Sequence, residues 1–400
     1  MNKTSLLILA LSFVIATQLL AQEYTINNNI GRDDISSLKE TAFNHNPVKD
    51  ISLSSASIHP TPPKSSFFAG EVNDFNKWSS WHDITDKTHA SFVPMWRIKP
   101  HERYMVQVVN KKNAPIVNAV VKLVNKKEDV VWEAKTDNTG KAELWANLFN
   151  GEETEESYKI ECDYNGTIDV IKKAQPFENK INKIKIDATN SGSHLVDIMF
   201  LIDATASMKD KVDYLQNTLP ATIEKIKKQQ PALDINLGCV FYRDKKDEYL
   251  TRVLPLNPDI ELNINFIKKQ RAGGGSYMHK ALDMALLDAI DNGGWHDDAL
   301  ARIAFIFLDA PCSTTPVSIK IVHQQIILAA EQGIKLVPIV CSEMEQDGEY
   351  LMRAMSLATN GTNLFLTNEN ETDSDITNTG HAKMLDDMII HIIRQYTATQ

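Results

Sequence analysis

Cysteine is scarce in this chain: 400 residues hold four, Cys162, Cys239, Cys312 and Cys341. They lie far apart and make no Cys-x-x-Cys pair, which excludes the paired-cysteine metal pattern. Cys239 falls inside a strand pattern and reads as a buried apolar residue. Positive charge is also short. Lys and Arg number 42 against 52 Asp and Glu, and the net charge of −10 argues against a nucleic-acid partner, which needs a basic surface. The histidines are scattered, with no His-Glu-x-x-His spacing, so metalloprotease chemistry has no support. Neither a Gly-x-Ser-x-Gly elbow nor a P-loop occurs, which argues against a serine hydrolase and a P-loop nucleotide hydrolase. Long apolar runs are missing beyond the first residues. Leu6–Leu20 is almost wholly apolar, follows Lys3 and ends beside the small Ala21, as a secretory signal over residues 1–21 does. It is shorter than the ~20 residues of a spanning helix. No cysteine near Ala21 suggests a lipid-modified N-terminus. The mature chain is therefore expected to lack a transmembrane segment and to be secreted or periplasmic, with cell-surface association left open.

What is present changes character along the chain. Residues 22–66 are rich in Asn, Ser, Thr and Pro and read as a linker or loosely held arm. Residues 67–100 crowd Phe67, Phe68, Phe75, Trp78, Trp81, Phe92 and Trp96 together. Exposed, such a cluster could bind glycan or protein. The reading favoured here is packing onto the neighbouring sandwich, because aromatic side chains carry large burial energies. Residues 101–190 read as strands. Val117, Ala119, Val121 and Leu123 alternate, and Val130–Ala134 and Ala142–Trp145 flank the turn Thr136-Asp137-Asn138-Thr139-Gly140. Strands so spaced predict a β-sandwich of roughly 90 residues. The run Ala114-Pro115-Ile116-Val117-Asn118-Ala119-Val120-Val121 and the later Thr136-Asp137-x-x-Gly140 resemble immunoglobulin-like or carboxypeptidase-regulatory-like modules of secreted bacterial proteins.

From residue 193 the period switches. Strand patterns at Leu195–Ile202, Asp234–Tyr242, Thr251–Leu254, Ile303–Leu308, Lys335–Val340 and Thr362–Leu366 alternate with helix patterns. Val212, Leu215, Leu219, Ile223 and Ile226 share one helical face, with Pro220 expected to kink that helix. Met384, Leu385, Met388, Ile389, Ile392 and Ile393 mark a last amphipathic helix. The fold expected is multidomain: an all-β sandwich followed by a doubly wound, Rossmann-like α/β domain with a mainly parallel sheet over residues 193–400.

The first of these strands ends in Asp203-Ala204-Thr205-Ala206-Ser207. A buried parallel strand places its C-terminal end where open α/β sheets hold ligands. One carboxylate and two hydroxyls on a tight turn suit a small hard cation, since Mg²⁺ takes about six oxygens. The competing reading is a helix N-cap by Thr205 or Ser207. Downstream lie the Gly-rich run Ala272-Gly273-Gly274-Gly275-Ser276, followed by a helix pattern over Lys280–Ile290, and then Asp309-Ala310-Pro311 at the end of Ile303–Leu308. Val240-Phe241-Tyr242-Arg243-Asp244 and Asp247-Glu248-Tyr249 complete the set.

In this order the residues of Ser193–Tyr396 resemble the von Willebrand factor type A family and its metal-ion-dependent adhesion site. The resemblance implies metal ligation by Asp203, Thr205, Ser207, Ser276 and Asp309. It implies Mg²⁺, with Mn²⁺ or Ca²⁺ as alternatives, and a protein partner that presents a carboxylate to the ion. Function would be protein binding or adhesion, not enzymatic. The alternative is a metal-independent scaffold of a cell-envelope assembly. Two departures from the bacterial pattern stand out. Ala206 replaces a Gly, and Ser276-Tyr277-Met278-His279 replaces Asp-x-Pro-Glu, which removes one charge from the site. Arg243, Asp244, Asp247 and Glu248 read as a solvated loop, with a second binding locus as the other possibility. The family's strand order would also place Cys312 and Cys341 after neighbouring strands, leaving a disulfide open in an oxidising compartment.

Overall fold

The computed structural model describes residues 67–83, 89–149, 157–190, 192–276, 279–341, 343–368 and 383–398. They fall within the compact unit Pro60–Gln400. The expected signal over 1–21 and arm over 22–66 lie outside the described residues.

The protein is a mixed α/β molecule whose largest sheet has eight strands. β9 (Leu195–Asp203) lies inside it, third from one edge, and all but the first of its residues are buried. Parallel partners lie on both sides: β10 (Asp234–Tyr242) on one, β12 (Ala301–Leu308), β13 (Ile334–Cys341) and β14 (Asn363–Asn368) on the other. Strands buried on both faces read as unbroken apolar runs, which is why Val196–Ile202 and Ile303–Leu308 carry so few polar residues. The sheet edges are antiparallel. On one side β11 (Thr251–Asn257) pairs with β10, and it holds Pro255 where a missing N–H is tolerated. On the other, β1 (Phe67–Val72) pairs with β14 and with β15 (Lys383–Met384).

Helices cover both faces of this sheet. The side chains of Ile198, Phe200 and Ile202 pack with α3 (Lys209–Gln229), α4 (Ile260–Lys269) and α8 (Leu385–Thr397). Met199 and Leu201, pointing the other way, pack with α5 (Leu282–Asp291), α6 (Pro316–Gln332) and α7 (Gln346–Ala358). The expected apolar stripe on α3 is buried throughout, and α3 runs on through Pro220 as one helix.

Residues 102–186 form two smaller sheets. One has three strands, β5 (Lys141–Ala146), β2 (Glu102–Asn110) and β8 (Asn182–Ile186). The other has four, β4 (Val130–Lys135), β3 (Val120–Val124), β6 (Lys159–Tyr164) and β7 (Thr167–Ile171). Val106, Val108 and Ile184 from the first share an apolar cluster with Val121, Leu123 and Ile160 from the second.

The aromatic-rich stretch does not pack on these small sheets alone. Phe67 lies in the eight-stranded sheet, edge-on to Tyr214 at 5.2 Å. Trp78, in α1 (Trp78–Asp83), meets Trp145 of β5 at 5.5 Å. Trp81 stacks on Tyr350 of α7 at 6.0 Å. Trp96, in α2 (Phe92–Trp96), donates its indole N–H to the Asp347 carbonyl at 2.9 Å. The expectation that this segment simply covers the sandwich is corrected: β1 joins the α/β sheet, and the rest bridges both sets of strands. A boundary at residue 193 therefore does not divide the packing. All four cysteines are free and buried, so Cys312 and Cys341 are not joined.

Candidate functional site

The chain leaves β9 to build β10 on one side and later returns to β12 on the other. Connections that diverge from neighbouring parallel strands open a crevice at their C-terminal ends, the usual ligand position of an open α/β sheet. Asp203 is the last residue of β9, and Asp309 directly follows β12. The turn after β9 adds Thr205 and Ser207, so four of the five expected residues come from the carboxyl ends of two adjacent strands.

Asp203 is fully buried. Its Oδ1 accepts the Thr205 N–H at 2.8 Å, while its Oδ2 is buried without a hydrogen-bond partner. Asp309 is buried too, and its Oδ1 likewise has no partner. A buried polar atom left in this way costs free energy unless something else satisfies it. The hydroxyls are not helix caps. Thr205 precedes the single 3₁₀ turn Ala206–Met208 and makes no side-chain capping bond, and Met208 precedes α3. Thr205 Oγ1 lies instead 3.3 Å from Ser207 Oγ. Thr205 is buried and Ser207 exposed, so the hydroxyl pair leads from the carboxylates toward solvent.

Burial pushes the Asp203 carboxyl up to about 7, and the nearby Asp309 charge adds to the rise. Hydrogen bonds from Thr205 and the charge of Lys280 act the other way. Tyr242, opposite Asp203 in the β9–β10 register, is wholly buried. Its hydroxyl is held far above the ordinary tyrosine value by burial first and then by Asp203 and Asp309. Two repelling carboxylates with unsatisfied oxygens, joined to hydroxyls that cap nothing, form a donor set matched to a hard cation. Among the described residues no three His, Cys, Asp or Glu side chains gather as a metal group, so such a site would depend on its hydroxyls.

The Gly-rich run closes over this turn. Gly273 donates its N–H to the Ala204 carbonyl at 2.9 Å, and Gly275 donates its own to Asp247 Oδ2 at 2.9 Å. Gly274 and Gly275 have φ of +71° and +79°. A Cβ on Gly274 would stand 2.2 Å from Asp247 Oδ1, and one on Gly275 would stand 2.7 Å from Thr205 Cβ. Both the left-handed backbone and the close approach call for glycine here. Ser276, the fifth expected residue, is exposed one position beyond this contact.

Arg243 and Asp247, read from sequence as solvated loop, are the frame of the site. Arg243 is buried. Its Nε donates to the Ala204 carbonyl at 3.1 Å, and Nη2 donates to the Arg271 carbonyl. The guanidinium lies 4.5 Å from the Tyr249 ring centre. Asp247 Oδ2 also accepts the Asp244 N–H at 3.1 Å. One arginine thus joins the Asp203 turn to the start of the Gly-rich run, and one aspartate fixes that run's end. Lys280 is a third residue that sequence reasoning missed. The helix pattern began at Lys280, but α5 starts at Leu282, and Lys280 lies before it with its side chain buried. The signal in the sequence is a basic residue five positions beyond Gly275, at the start of an apolar helix pattern.

Comparison with protein-family models and with curated proteins finds no match to this chain.

Proposed function

We propose that this protein is an exported binding protein of von Willebrand factor type A kind, preceded by an immunoglobulin-like β-sandwich. Asp203, Thr205, Ser207, Ser276 and Asp309 would hold one divalent cation, Mg²⁺ first, with Mn²⁺ or Ca²⁺ as substitutes. The ion would supply a Lewis-acidic position for a carboxylate of a partner protein. The observation that carries this reading is the pair of buried, unpartnered carboxylate oxygens, Asp203 Oδ2 and Asp309 Oδ1, at the ends of adjacent strands. Neutral hydroxyls beside them add no further negative charge to a bound ion, which leaves it able to take a carboxylate from a partner.

Thermal unfolding of the full chain tests this in EDTA and in millimolar Mg²⁺, Mn²⁺ or Ca²⁺, beside Asp203→Ala. A ligand that binds only the folded state at a hundredfold excess over Kd adds about 2.7 kcal/mol of stability. The expected result is a rise of the midpoint with metal that Asp203→Ala abolishes. Equal midpoints with and without metal in both proteins would leave the second reading, a metal-independent scaffold of an envelope assembly.

A further inference from the structure

The turn proposed to take a cation already has one beside it. Lys280 is only 6% exposed. Its backbone N–H donates to the Pro311 carbonyl at 3.2 Å, and the next N–H, of Ala281, donates to the Arg243 carbonyl at 3.0 Å. The chain at Lys280 is therefore pinned between the segment after β12 and the segment after β10. The Lys280 Nζ atom lies 3.2 Å from where a Cβ on Gly275 would stand, the same point that is 2.7 Å from Thr205 Cβ. The ammonium and the Thr205 side chain thus flank one glycine. No ion pair of Lys280 is formed among the described residues, so its ammonium stands beside the turn that carries Asp203 and Thr205 without a carboxylate of its own.

A buried ammonium is costly unless an anion compensates it, and two repelling carboxylates are costly unless a cation does. Each of these groups supplies what the other lacks. We propose that Lys280 is the resident counter-ion of the Asp203–Asp309 pair, and that a divalent cation enters only against its charge. Lysine suits this role better than arginine. Its charge is compact, and its four-carbon stem is flexible enough to withdraw without moving backbone. Gly275, which has no side chain, leaves the space beside the ammonium clear. The lysine then sets the metal concentration at which the site can fill. This rests on the metal-dependent reading above, whereas the counter-ion role by itself does not.

The test uses the full chain, its Lys280→Met and its Lys280→Arg variants, with MgCl₂ and MnCl₂ as the only ligands. Methionine keeps the length and apolar stem, and arginine keeps the charge. Calorimetric titration gives Kd, and thermal unfolding in EDTA reads the metal-free state. Removing one positive charge from beside a divalent ion is expected to tighten metal binding at least about tenfold in Lys280→Met. The same variant should unfold at a lower temperature than wild type and Lys280→Arg in EDTA. Metal binding in Lys280→Met but not in wild type would uphold the inference and refute occupancy of the native site. Equal Kd in wild type and Lys280→Met would overturn the inference while leaving the metal reading intact. If no protein binds metal, the metal reading fails. The counter-ion role is then decided in EDTA: a lower midpoint for Lys280→Met than for Lys280→Arg upholds it, and an equal or higher one overturns it.

Discussion

Asp203 is the residue on which the site's behaviour turns, because its folded and unfolded states hold protons differently. Its carboxyl is raised from 3.8 to about 7, through burial first and the Asp309 charge second. Between these values the folded protein keeps a proton that the unfolded chain has released. The contribution to stability is therefore complete below pH 3.8 and is lost as pH rises toward 7, after which it is flat. Asp203→Asn keeps the shape and removes the titration. In EDTA this variant should unfold at a higher temperature than wild type at pH 8, and the advantage should disappear at pH 4. A wild-type midpoint that exceeds the variant's at pH 8 would show that the carboxylate is well compensated. The Asp-x-Thr-x-Ser turn and the Asp after the second strand were legible because such residues are polar islands at the ends of apolar runs. Arg243, Asp247 and Lys280 were not, since only the fold shows that charges distant in the chain turn inward and replace water around the Gly-rich run.

At the scale of elements, strands and helices with strong patterns were read close to their observed limits. Asp234–Tyr242 was placed as found, and the buried stripe of α3 was named residue by residue. Pairing across long separations was not legible. β1 joins β14 and β15 from the far end of the chain, and no local period records such a partner. The segment after β1 is fixed by polar contacts of the same long range. Arg353 of α7 donates from Nε and Nη2 to the two oxygens of Asp74 at 3.0 and 2.6 Å. His323 of α6 shares a hydrogen bond with the Trp96 carbonyl at 2.8 Å and stacks on Phe149 at 4.2 Å. Burial, with Arg97 nearby, lowers His323 from 6.5 to about 4. Here the unfolded chain takes up the proton first, so the contribution is present above pH 6.5 and is lost as pH falls toward 4. His323→Gln removes that titration. Between pH 7 and pH 4 the variant should lose about 2–3 kcal/mol less stability than wild type, measured by urea unfolding at each pH. An equal loss in both would mean that His323 is free to protonate in the folded protein. Asp203 acts with the opposite sign over much of this range, so only the difference between variant and wild type isolates His323.

Across the whole molecule, the two small sheets are held to the eight-stranded sheet by buried polar groups as well as by apolar packing. Asp137 lies in the turn that the sequence announced, and Gly140 takes the left-handed backbone expected there, with φ of +72°. One carboxylate oxygen serves that turn, accepting the Thr139 N–H at 2.8 Å. The other faces the large sheet, where it accepts from Asn360 Nδ2 at 2.9 Å and from Lys335 Nζ at 3.5 Å. Lys335 also donates to the Asn360 carbonyl at 3.1 Å, and its ammonium lies 4.7 Å from the Tyr396 ring centre. Nearby, Arg302 Nη1 donates to Asn118 Oδ1 at 3.0 Å, and Asn138 Nδ2 donates to the Gln395 and Ala398 carbonyls at 3.0 and 2.8 Å. Lys335 and Arg302 are the second residues of β13 and β12, so these ties act at the opposite strand ends from Asp309. Burial lowers the Lys335 ammonium from its ordinary value, while Asp137 raises it. Removing Asp137 alone would strand that ammonium, at a cost of about 3–5 kcal/mol for a broken buried pair. Asp137→Ala should accordingly lose stability of that order in denaturant unfolding, and its small sheets should unfold before the large one as judged by Trp145 and Tyr396 environments. Asp137→Asn with Lys335→Met removes both charges and should recover most of the loss, because a neutral pair of similar size needs no counter-ion. If the double variant were as unstable as Asp137→Ala, the tie would be the shape of the turn rather than the buried charge pair.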